Sequence, residues 1–549
     1  MLLKEDATTQ KLRGAYYTPQ KLVEFIVKQF EKDIKNKKIK TILEPSCGDG
    51  VFLEALSKLK NINNVDTILG VEIEEEEANK AKIKAIKNMN IVNEDFIRLY
   101  DKDIKNTKYD LIVGNPPYIR YQYLTEEQRA VQSDILVHNG MKSNKLINAW
   151  VCFLVSAVEL LNEDGKIAFV IPAEILQVAY AEDLRFFLSN VLEQITIITF
   201  QELVFENIEQ EVVVLIGKKN TKKAMKNSKI AIKQLQNLEC LDNVNLKDFK
   251  YQLIEHTSEK WTKYFVEDSH SDLIEEIRND KRFTTFGKLG KVNVGITTGN
   301  NSYFSVNQEI VNEYNLQEVV MPLIGRSSHA HGIYFTHEDW QCNVNKGKDA
   351  YLISFPEKIK YEDYPQKHKE YIKMGEDEGA NTGYKCRIRK KWYVVPSIWV
   401  PDAFLLRRNN TFPKFVLNNI NAVSTDTMHR IKFNEGVNRD RVLLSYYNSV
   451  SFAFTEINGR SYGGGVLEIL PGEASNVILP DLSEFNLEET KRLLALVDNT
   501  IRNNLPIEDL LDEIDKIILI EYLGLSEEIC NEFRVIWKTL MERRHARAK

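Results

Sequence analysis

Apolar and polar positions in the first two hundred residues follow two alternating patterns. Short apolar runs predict buried strands at residues 41–45, 67–72, 90–93, 111–113, 166–172, 195–200 and 211–216. Between them, apolar residues recur at helical spacing, as in the stripe Leu22, Ile26 and Phe30. We expect Thr18 to be the N-cap of that helix, with Pro19 at its first position, and a later amphipathic helix at 146–161. Strands alternating with helices predict a doubly wound α/β sheet.

The pattern changes after residue 220. Residues 221–265 are polar and lysine-rich and are interpreted as a crossover between domains. Residues 266–485 combine aromatic-rich segments, short apolar runs and Gly/Asn turns, which predict a mixed α+β domain with many short strands. Helical spacing at 488–503, 507–523 and 527–547 predicts a helical end with a solvated basic tail. The predicted segments are therefore 1–220, 221–265, 266–485 and 486–549.

Composition narrows the class of protein without naming a function. A chain of 549 residues with 43% hydrophobic and 28% charged residues is typical of a globular protein of two large domains or about three smaller ones. No apolar run is long enough to span a membrane, and the first ten residues lack the apolar core of a signal peptide. The net charge of −6 means that any nucleic-acid surface must be local.

The six cysteines are scattered and form no CxxC pair. This distribution indicates a reducing compartment, the cytoplasm, and argues against a bound metal or a disulfide framework. Their positions are Cys47, Cys152, Cys240, Cys342, Cys386 and Cys530.

Chemically distinctive residues follow four predicted strands at the same end. A loop with Gly48 and Gly50 follows the first strand, and Glu72, Asp95 and Asn115 end or follow the next three. Because ligands of doubly wound sheets bind outside the carboxyl ends of the strands, we expect these residues to meet in one site.

The glycine loop and the acid that follows it favour an adenosine-containing cofactor over a structural turn. Two glycines let a ligand approach the backbone, although the full dinucleotide fingerprint is not present. Glu72, about twenty residues later, suits ribose hydroxyls. Asp95 could accept from an adenine amine while Phe96 stacks on the ring. The alternative for the last two is a surface acid and a core phenylalanine.

The fourth strand ends in Asn115-Pro116-Pro117-Tyr118. The prolines fix φ and remove backbone donors, which makes a rigid turn that presents one amide and one aromatic ring. An amide oxygen and a neighbouring carbonyl can each accept an N–H of an exocyclic amine, while the Tyr118 ring stacks on the base. An ordinary Pro-Pro turn is the alternative interpretation.

Taken in order, GAYYTP, LEPSCGDGVFL, GVEI, NEDF and NPPY resemble the motifs of the γ-class, TaqI-like N6-adenine DNA methyltransferases over roughly residues 13–220. The family belongs to restriction-modification or related defence systems. The resemblance implies a Rossmann-like methyltransferase sheet and S-adenosylmethionine as cofactor. The residues that would hold this cofactor are Tyr17, Thr18, Glu44, Pro45, Gly48, Gly50, Glu72, Ile73, Asp95, Phe96 and Asn115.

The same resemblance implies a target adenine turned out of duplex DNA and held by Asn115, Pro116, Pro117 and Tyr118. Phe205 matches an aromatic residue that stacks on the other face of the base, although the segment after it departs from the family pattern. The implied partners are double-stranded DNA and a separately encoded restriction endonuclease. The implied enzyme is a prokaryotic cytoplasmic protein. Because one chain would carry both catalysis and DNA recognition, we expect a monomer, and the scattered cysteines lead us to expect no metal.

The most basic stretch of the chain is interleaved with aromatic residues such as Trp392 and Tyr393. Basic and aromatic side chains together suit contacts with phosphates and opened strands, whereas a solvated basic strand face is the alternative. The candidate DNA-binding residues are Lys385, Arg387, Arg389, Lys390, Lys391, Arg407 and Arg408.

Three other functions compete with site-specific adenine methylation. A protein glutamine or RNA methyltransferase could also use the Asn115 turn, but usually lacks the GAYYTP opening and a large C-terminal domain. A non-catalytic DNA specificity subunit would not need an intact glycine loop. A nuclease is suggested by Pro480-Asp481 and Lys491, but their spacing is too short and only thirteen residues precede Gly14. We therefore expect methylation without cleavage.

Overall fold

The computed structural model describes residues 17–143, 147–205, 210–254, 260–265, 268–462 and 465–546. The chain divides into two compact units, with the boundary between Asp268 and Ser269. Each unit has its own sheets and its own buried apolar core. Part of the GAYYTP stretch and of the segment after Phe205 lies outside the described residues.

A nine-stranded sheet forms the centre of the first unit, in the order β3-β2-β1-β4-β5-β7-β6-β8-β9. Its strands are β1 Thr41–Glu44, β2 Thr67–Glu72, β3 Met89–Asn93, β4 Tyr109–Gly114, β5 Leu161–Pro172, β6 Leu192–Phe200, β7 Val212–Lys219, β8 Lys229–Leu235 and β9 Gln252–Leu253. β7 is antiparallel to β5 and β6, and β9 is antiparallel to β8, while the other pairs are parallel. The predicted doubly wound α/β sheet is confirmed.

Helices of the first unit alternate with these strands. They are Gln20–Lys28, Glu31–Lys35, Val51–Ser57, Glu75–Lys84, Phe96–Leu99, Glu126–His138, Ala149–Leu160, Glu182–Val191 and Thr221–Asn227. The prediction of an amphipathic helix at 146–161 is wrong, because every residue of Ala149–Leu160 except Glu159 is buried. A helix that is apolar on all sides lies inside a core, and this one contributes Trp150 and Leu154 to it.

Residues 221–265 are not a crossover. β8 pairs in parallel with β6 along its whole length, with Ile195 opposite Ile230, so the sheet of the first unit continues past residue 220. The lysines that suggested a linker lie at the end of β7, on the helix Thr221–Asn227 and on β8, and Lys218 Nζ pairs with Glu193 at 2.6 Å and with Asp164 at 2.8 Å. Charged side chains on a solvated sheet end look like a linker when only the composition is considered.

The order of the strands reverses between β1 and β4. β1 pairs with β2 on one side and with β4 on the other, in registers that align Ile42 with Ile68 and with Leu111. Since the connections leave toward opposite sides at this point, a crevice opens at the carboxyl ends of β1 and β4. The glycine loop after β1 and Asn115 after β4 both lie there.

The second unit contains several small sheets instead of one large sheet. Their orders are β10-β23, β11-β20-β16-β18-β14, β12-β15-β13-β19 and β17-β22-β21. The strands are β10 Phe283–Thr285, β11 Gly290–Val294, β12 Ser305–Val306, β13 Val320–Ile324, β14 Tyr334–Phe335, β15 Tyr351–Ile353, β16 Ala403–Leu406, β17 Arg408–Asn409, β18 Phe415–Asn418, β19 Val423–Ser424, β20 Met428–Phe433, β21 Arg460–Tyr462, β22 Val466–Glu468 and β23 Ile478–Pro480.

Helices connect and cover these sheets, which gives the predicted mixed α+β class. They are Asp268–Asn279, Phe286–Leu289, Asn301–Phe304, Gln308–Glu313, His337–Asn345, Gln366–Asp377, Tyr384–Arg387, Arg439–Tyr446, Ser449–Asn458, Pro471–Ser475, Leu487–Arg502, Ile507–Ile514 and Glu527–Ala546. The segment that suggested a nuclease is the end of β23 followed by the helix Leu487–Arg502, which Asn486 caps.

The helical end belongs to the second unit and is not a separate segment. Phe533 of the last helix stacks on Phe454 of the helix Ser449–Asn458, with ring centroids 5.8 Å apart. Arg544 pairs with Glu456 at 2.8 Å in a fully buried position. The predicted solvated basic tail is therefore wrong at Arg544. Removing one partner of such a buried pair typically costs about 3–5 kcal/mol.

Two general properties follow from the described part of the chain. None of its helices combines the length and the apolar character needed to cross a membrane. All six cysteines are free thiols.

Candidate active site

The glycine loop after β1 needs glycine at two positions for different reasons. Gly48 and Gly50 have φ of +53° and +86°, in the left-handed region that other residues rarely adopt. A Cβ on Gly50 would lie 3.0 Å from the Ala81 Cα, so this glycine also lets two helices approach. A Cβ on Gly48 would meet nothing within 4 Å, which leaves open space above the loop.

Glu72 holds the glycine loop in place from the end of β2. Its Oε2 accepts a hydrogen bond from the Gly48 N–H at 2.8 Å, and its Oε1 accepts from the Glu74 N–H at 2.9 Å. Burial raises the pKa of this carboxyl, while the backbone donors oppose the rise. Glu72 therefore connects β2 to the loop directly, and its neighbour Ile73 is exposed.

Glu44, the last residue of β1, is a buried acid with an unsatisfied oxygen. Its side chain is 1% exposed, and its Oε2 has no hydrogen-bond partner among the described residues. Burial raises its pKa well above the usual range, and the nearby charges of Glu72 and Asp49 add to the rise. Pro45 follows directly. A buried carboxylate oxygen without a donor attracts a positive group, so the site fits the cationic part of S-adenosylmethionine.

Asn115 is held by residues from three other parts of the first unit. Its Nδ2 donates to Thr18 Oγ1 at 3.2 Å, and its backbone carbonyl accepts from Ser46 Oγ at 3.1 Å. Tyr118 Oη lies 2.7 Å from Asn115 Oδ1 and 3.0 Å from the Val170 carbonyl of β5. The turn at Pro116 and Pro117 thus brings the Tyr118 hydroxyl back onto the Asn115 amide.

The prediction that Thr18 caps the first helix is wrong. The helix is Gln20–Lys28, Pro19 occupies the N-cap position, and no side chain caps it. The Thr18 hydroxyl instead accepts a hydrogen bond from Asn115 Nδ2 at 3.2 Å, while the Pro19 carbonyl accepts from the Leu22 N–H at 3.0 Å. Tyr17, directly before Thr18, is exposed.

Asp95 and Phe96 are at the carboxyl end of β3, as expected, but both are already engaged. Asp95 Oδ1 accepts from the Ile97 N–H at 2.9 Å and caps the following helix, and its Oδ2 accepts from Gln128 Nε2 at 2.9 Å. Phe96 is 2% exposed and packs against Phe153 with ring centroids 5.1 Å apart. Their roles toward the cofactor stay predictions.

Phe205 is 4% exposed and lies in the apolar core of the first unit. Tyr118, which is only partly buried, packs against the same core. Residues 206–209 lie outside the described residues. The stacking predicted for Phe205 therefore stays a prediction.

The seven candidate DNA-binding residues of the second unit differ in exposure and in their contacts within the protein. Three are bound to the protein itself: Arg389 donates to the Thr297 carbonyl at 3.0 Å, Lys391 to the Ile359 carbonyl at 2.6 Å, and Arg407 to Glu468 at 3.0 Å. Arg408 is exposed and only 3.5 Å from the same Glu468. The other three are exposed, namely Lys385, Arg387 and Lys390.

Several residues near the Asn115 turn and near the basic stretch of the second unit were not predicted from the sequence. Ser46 and Val170 contact the Asn115 turn, and neither stands out by residue type or spacing. In the second unit, Tyr384 and Ile388 are 65% and 60% exposed beside the three exposed basic residues. Their spacing of four residues is a helical signal. The aromatic residues chosen instead, Trp392 and Tyr393, pack in the core region of this unit.

In the described part of the chain, no group of three or more His, Cys, Asp or Glu side chains is arranged to hold a metal ion.

Comparison with known protein families identifies the family of this chain. A family model described as N-6 DNA Methylase matches residues 1–289, which is more than half of the chain. The chain belongs to the N-6 DNA Methylase family. A second model, described as the C-terminal domain of Type II methyltransferase M.Eco57I, matches residues 258–519. The cofactor of this methylase is S-adenosylmethionine, and its substrate is DNA.

Individual relatives of this methylase cover most of its length. It is 27% identical over 510 residues to Type II methyltransferase M.AccI of Acinetobacter calcoaceticus, covering 89% of this chain and 90% of that protein. It is 24% identical over 465 residues to Type II methyltransferase M.BanIII of Aneurinibacillus aneurinilyticus, covering 73% and 76%. The structure of the Type IIL restriction-modification enzyme MmeI in complex with DNA matches with a TM-score of 0.61 and 14% identity, covering 98% of this chain and 80% of that chain, which shows a similar fold.

Proposed function

We propose that this methylase transfers a methyl group to the N6 amino group of one adenine in a specific sequence of duplex DNA. The observation that carries the proposal is the Asn115 amide. It lies at the carboxyl end of β4, at the crevice of the sheet, and its oxygen already faces a hydroxyl donor 2.7 Å away. An exocyclic amino group is a donor of the same kind. The Pro116 carbonyl, next in the turn, is the second acceptor.

The chemistry needs position more than acid–base strength. When bound, S-adenosylmethionine supplies a methyl group already activated on a sulfonium. The N6 lone pair is delocalised into the adenine ring, and hydrogen bonds to the Asn115 oxygen and the Pro116 carbonyl favour a more tetrahedral nitrogen. The N6 lone pair would then be aimed at the methyl group. Transfer would form the N–C bond as the methyl–sulfur bond breaks, leaving S-adenosylhomocysteine, and one N6 proton would pass to water. Holding both reactants in this geometry accounts for most of the rate.

The adenine must leave the duplex before it can reach this turn. Extrusion costs a few kcal/mol, and stacking on an aromatic ring returns about 1–3 kcal/mol per base. Tyr118 is partly buried and supplies one face of the stack, and Phe205 is the candidate for the other. Pro117 keeps the turn rigid so that the ring and the amide stay in fixed relation.

Five residues of the crevice have proposed roles around the cofactor. The buried Glu44 oxygen attracts the cationic part, the backbone of Gly48 lies against the ligand, and Glu72 binds the ribose hydroxyls. Asp95 and Phe96 would bind the adenine. The family motifs also led to the expectation that the cofactor lies near Tyr17, Thr18, Pro45, Gly50, Ile73 and Asn115.

For DNA binding we propose the exposed basic residues Lys385, Arg387 and Lys390 as phosphate contacts. Tyr384 and Ile388 lie among them and are the apolar side chains that would contact sugars or bases. The short helix Tyr384–Arg387 is anchored to the core of the second unit by Cys386, which is buried. Arg389, Lys391 and Arg407 are bound within the protein, and Arg408 is exposed 3.5 Å from Glu468, so these four are secondary candidates for DNA contacts.

The biological setting follows from the relatives. The names of M.AccI and M.BanIII describe Type II methyltransferases. We propose that this enzyme protects prokaryotic DNA in the cytoplasm from a separately encoded restriction endonuclease. One chain carries both the methyl-transfer site and a DNA-binding surface, which favours a monomer that modifies one strand at a time.

The test is transfer of labelled methyl groups from S-adenosylmethionine to mixed-sequence duplex DNA, with modified bases located by long-read sequencing. N6-methyladenine within one short motif is the expected result and gives the recognition sequence. Label at cytosine, on RNA or on protein, with none at adenine, would overturn the proposal. Asn115→Ala protein is the control for contaminating activity.

A further inference from the structure

The Asn115 amide is held at both of its ends. Its nitrogen donates to Thr18 Oγ1 at 3.2 Å, and its oxygen accepts from Tyr118 Oη at 2.7 Å. Thr18 is 6% exposed, so water competes little for its hydroxyl. Ser46 holds the backbone of the same residue through its carbonyl at 3.1 Å. Both the main chain and the side chain of Asn115 are therefore fixed before any substrate arrives.

The orientation of this amide matters for the proposed reaction. The two ends of a primary amide have nearly the same shape but opposite hydrogen-bonding roles. The N6 group of adenine is a donor, because its lone pair is delocalised into the ring. Only the oxygen end of Asn115 can accept from it, and the opposite orientation would set two donors against each other.

We propose that Thr18 is a positioning residue that keeps the Asn115 oxygen turned toward the target base, and that the Tyr118 hydroxyl occupies this oxygen until the base replaces it. The proposal rests on the proposed function, since it needs adenine N6 as the group that arrives. It gives Thr18 a role different from the cofactor binding expected from the family motif.

Thr18 lies one residue before the N-cap position of the first helix, which Pro19 occupies. A threonine at the N-cap itself usually caps the helix through its hydroxyl. Here the helix Gln20–Lys28 has no side-chain cap, and the hydroxyl bonds to a residue 97 positions away. The hydroxyl is thus used for the Asn115 amide in place of the helix terminus.

Tyr118 can leave the Asn115 oxygen without losing its own hydrogen bond. Its hydroxyl has one hydrogen and two acceptors within reach, Asn115 Oδ1 at 2.7 Å and the Val170 carbonyl at 3.0 Å. When the N6 amino group donates to the Asn115 oxygen, the Tyr118 hydroxyl rotates and donates to the Val170 carbonyl instead. The ring then stays anchored at its edge and offers its face to the base.

The first experiment compares Thr18→Val, which removes the hydroxyl at nearly constant volume, with Thr18→Ser, which keeps it. We expect kcat for Thr18→Val to fall about 10- to 100-fold, the effect of leaving a buried donor unpaired. The Kd for S-adenosylmethionine without DNA should stay near that of the wild type, and Thr18→Ser should recover most of the activity. If Thr18→Val does not fold, Thr18→Ala tests the same loss of the hydroxyl.

Opposite results would overturn the positioning role. If Thr18→Val weakens cofactor binding and leaves kcat at saturating cofactor unchanged, Thr18 is a cofactor residue only. If Thr18→Ser is as impaired as Thr18→Val, the effect comes from packing and not from the hydroxyl. A wild-type enzyme that methylates no adenine would refute the proposed function itself, which is a different outcome.

The second experiment tests the exchange at Tyr118 with Tyr118→Phe, which keeps the stacking ring. Binding is measured for DNA with adenine at the target position and for the same DNA with purine, which lacks the amino group. In the variant, the tyrosine hydroxyl no longer competes with the N6 amino group for the Asn115 oxygen. The preference for adenine over purine should therefore rise about two- to tenfold over the wild type. An unchanged or smaller preference would overturn the exchange.

Discussion

Glu72 accepts a hydrogen bond from the Gly48 backbone at 2.8 Å, which ties the end of β2 to the glycine loop after β1. The second carboxylate oxygen accepts from the Glu74 N–H, so both oxygens take part in holding backbone. The conformation of the glycine loop therefore depends on a side chain 24 residues further along the chain.

Replacing Glu72 by Gln should weaken the binding of S-adenosylmethionine. A glutamine has one acceptor where the carboxylate has two, so its NH2 group must face a backbone N–H. Hydrogen bonds to charged groups are worth about 1.5–3 kcal/mol each, so we expect the Kd to rise about 10- to 100-fold in calorimetric titration. Glu75→Gln, an exposed acid nearby, is the matched control. Equal effects of the two substitutions would contradict the role of Glu72 in holding the glycine loop.

Glu44→Gln should stabilise the free protein at neutral pH and weaken cofactor binding. Burial raises the pKa of Glu44 in the folded state, so the folded protein holds a proton that the unfolded chain has lost above its ordinary pKa near 4.5. The free energy of unfolding therefore falls as the pH rises from that value toward the folded pKa. Glutamine cannot ionise and removes this loss.

Thermal unfolding of wild type and Glu44→Gln between pH 5 and pH 8 checks the prediction. The difference in Tm should grow with pH in favour of the variant. The affinity for S-adenosylmethionine should fall, because glutamine cannot give up a proton to become the anion that the cationic part of the cofactor attracts. A variant that is less stable at pH 8 and binds the cofactor normally would mean that Glu44 is a structural acid with a donor of its own.

Asn115→Ala should abolish methyl transfer and leave cofactor binding largely intact. Its amide contacts Thr18 and Tyr118, whereas the proposed cofactor residues Glu44 and Glu72 lie at the ends of β1 and β2. We expect kcat to fall by at least about a hundredfold, as when a hydrogen-bonding group that orients the transition state is lost. Loss of affinity for S-adenosylmethionine, with little change in kcat, would mean that the base and cofactor sites have been exchanged.

Gly48→Ala and Gly50→Ala form a matched pair on one loop. Both glycines have positive φ, which costs other residues about 1–2 kcal/mol. Alanine at 50 adds a contact of 3.0 Å with the Ala81 Cα, and overpacking costs about 1–3 kcal/mol more. We expect the larger fall in the urea midpoint for Gly50→Ala. Gly48→Ala should chiefly weaken cofactor binding, because its methyl group enters the open space above the loop. Equal losses of stability would contradict the packing role of Gly50.

How much of the site could be predicted from the sequence depends on whether the signal is local. The strands and the Asn115 turn were predictable, since apolar runs and two adjacent prolines act on their own neighbours. The bond between Thr18 and Asn115 was not, because it joins residues 97 positions apart through the sheet. The antiparallel placement of β7 beside β5 and the pairing of β8 with β6 were likewise not predictable, because tertiary packing determines which strands pair.

The surface of the second unit shows the same limit for charged residues. Arg387 and Arg389 are two positions apart and indistinguishable by composition. Arg387 is exposed, whereas Arg389 is half-buried and donates to the Thr297 and Trp392 carbonyls at 3.0 and 3.4 Å. Side-chain direction on the short helix Tyr384–Arg387 and the turn after it decides which arginine is available to a ligand.

This difference predicts opposite behaviour for two arginine variants. Arg387→Ala should weaken DNA binding and reduce the slope of log K against log salt by about 1, because one phosphate contact is lost. Its Tm should stay near that of the wild type, since the side chain is exposed. Arg389→Ala should lower the Tm, because the Thr297 carbonyl loses its donor, while the salt slope changes little. DNA binding measured at several salt concentrations, together with thermal unfolding, separates the two. If Arg389→Ala lowers the slope and Arg387→Ala does not, the DNA contacts the other side of this surface.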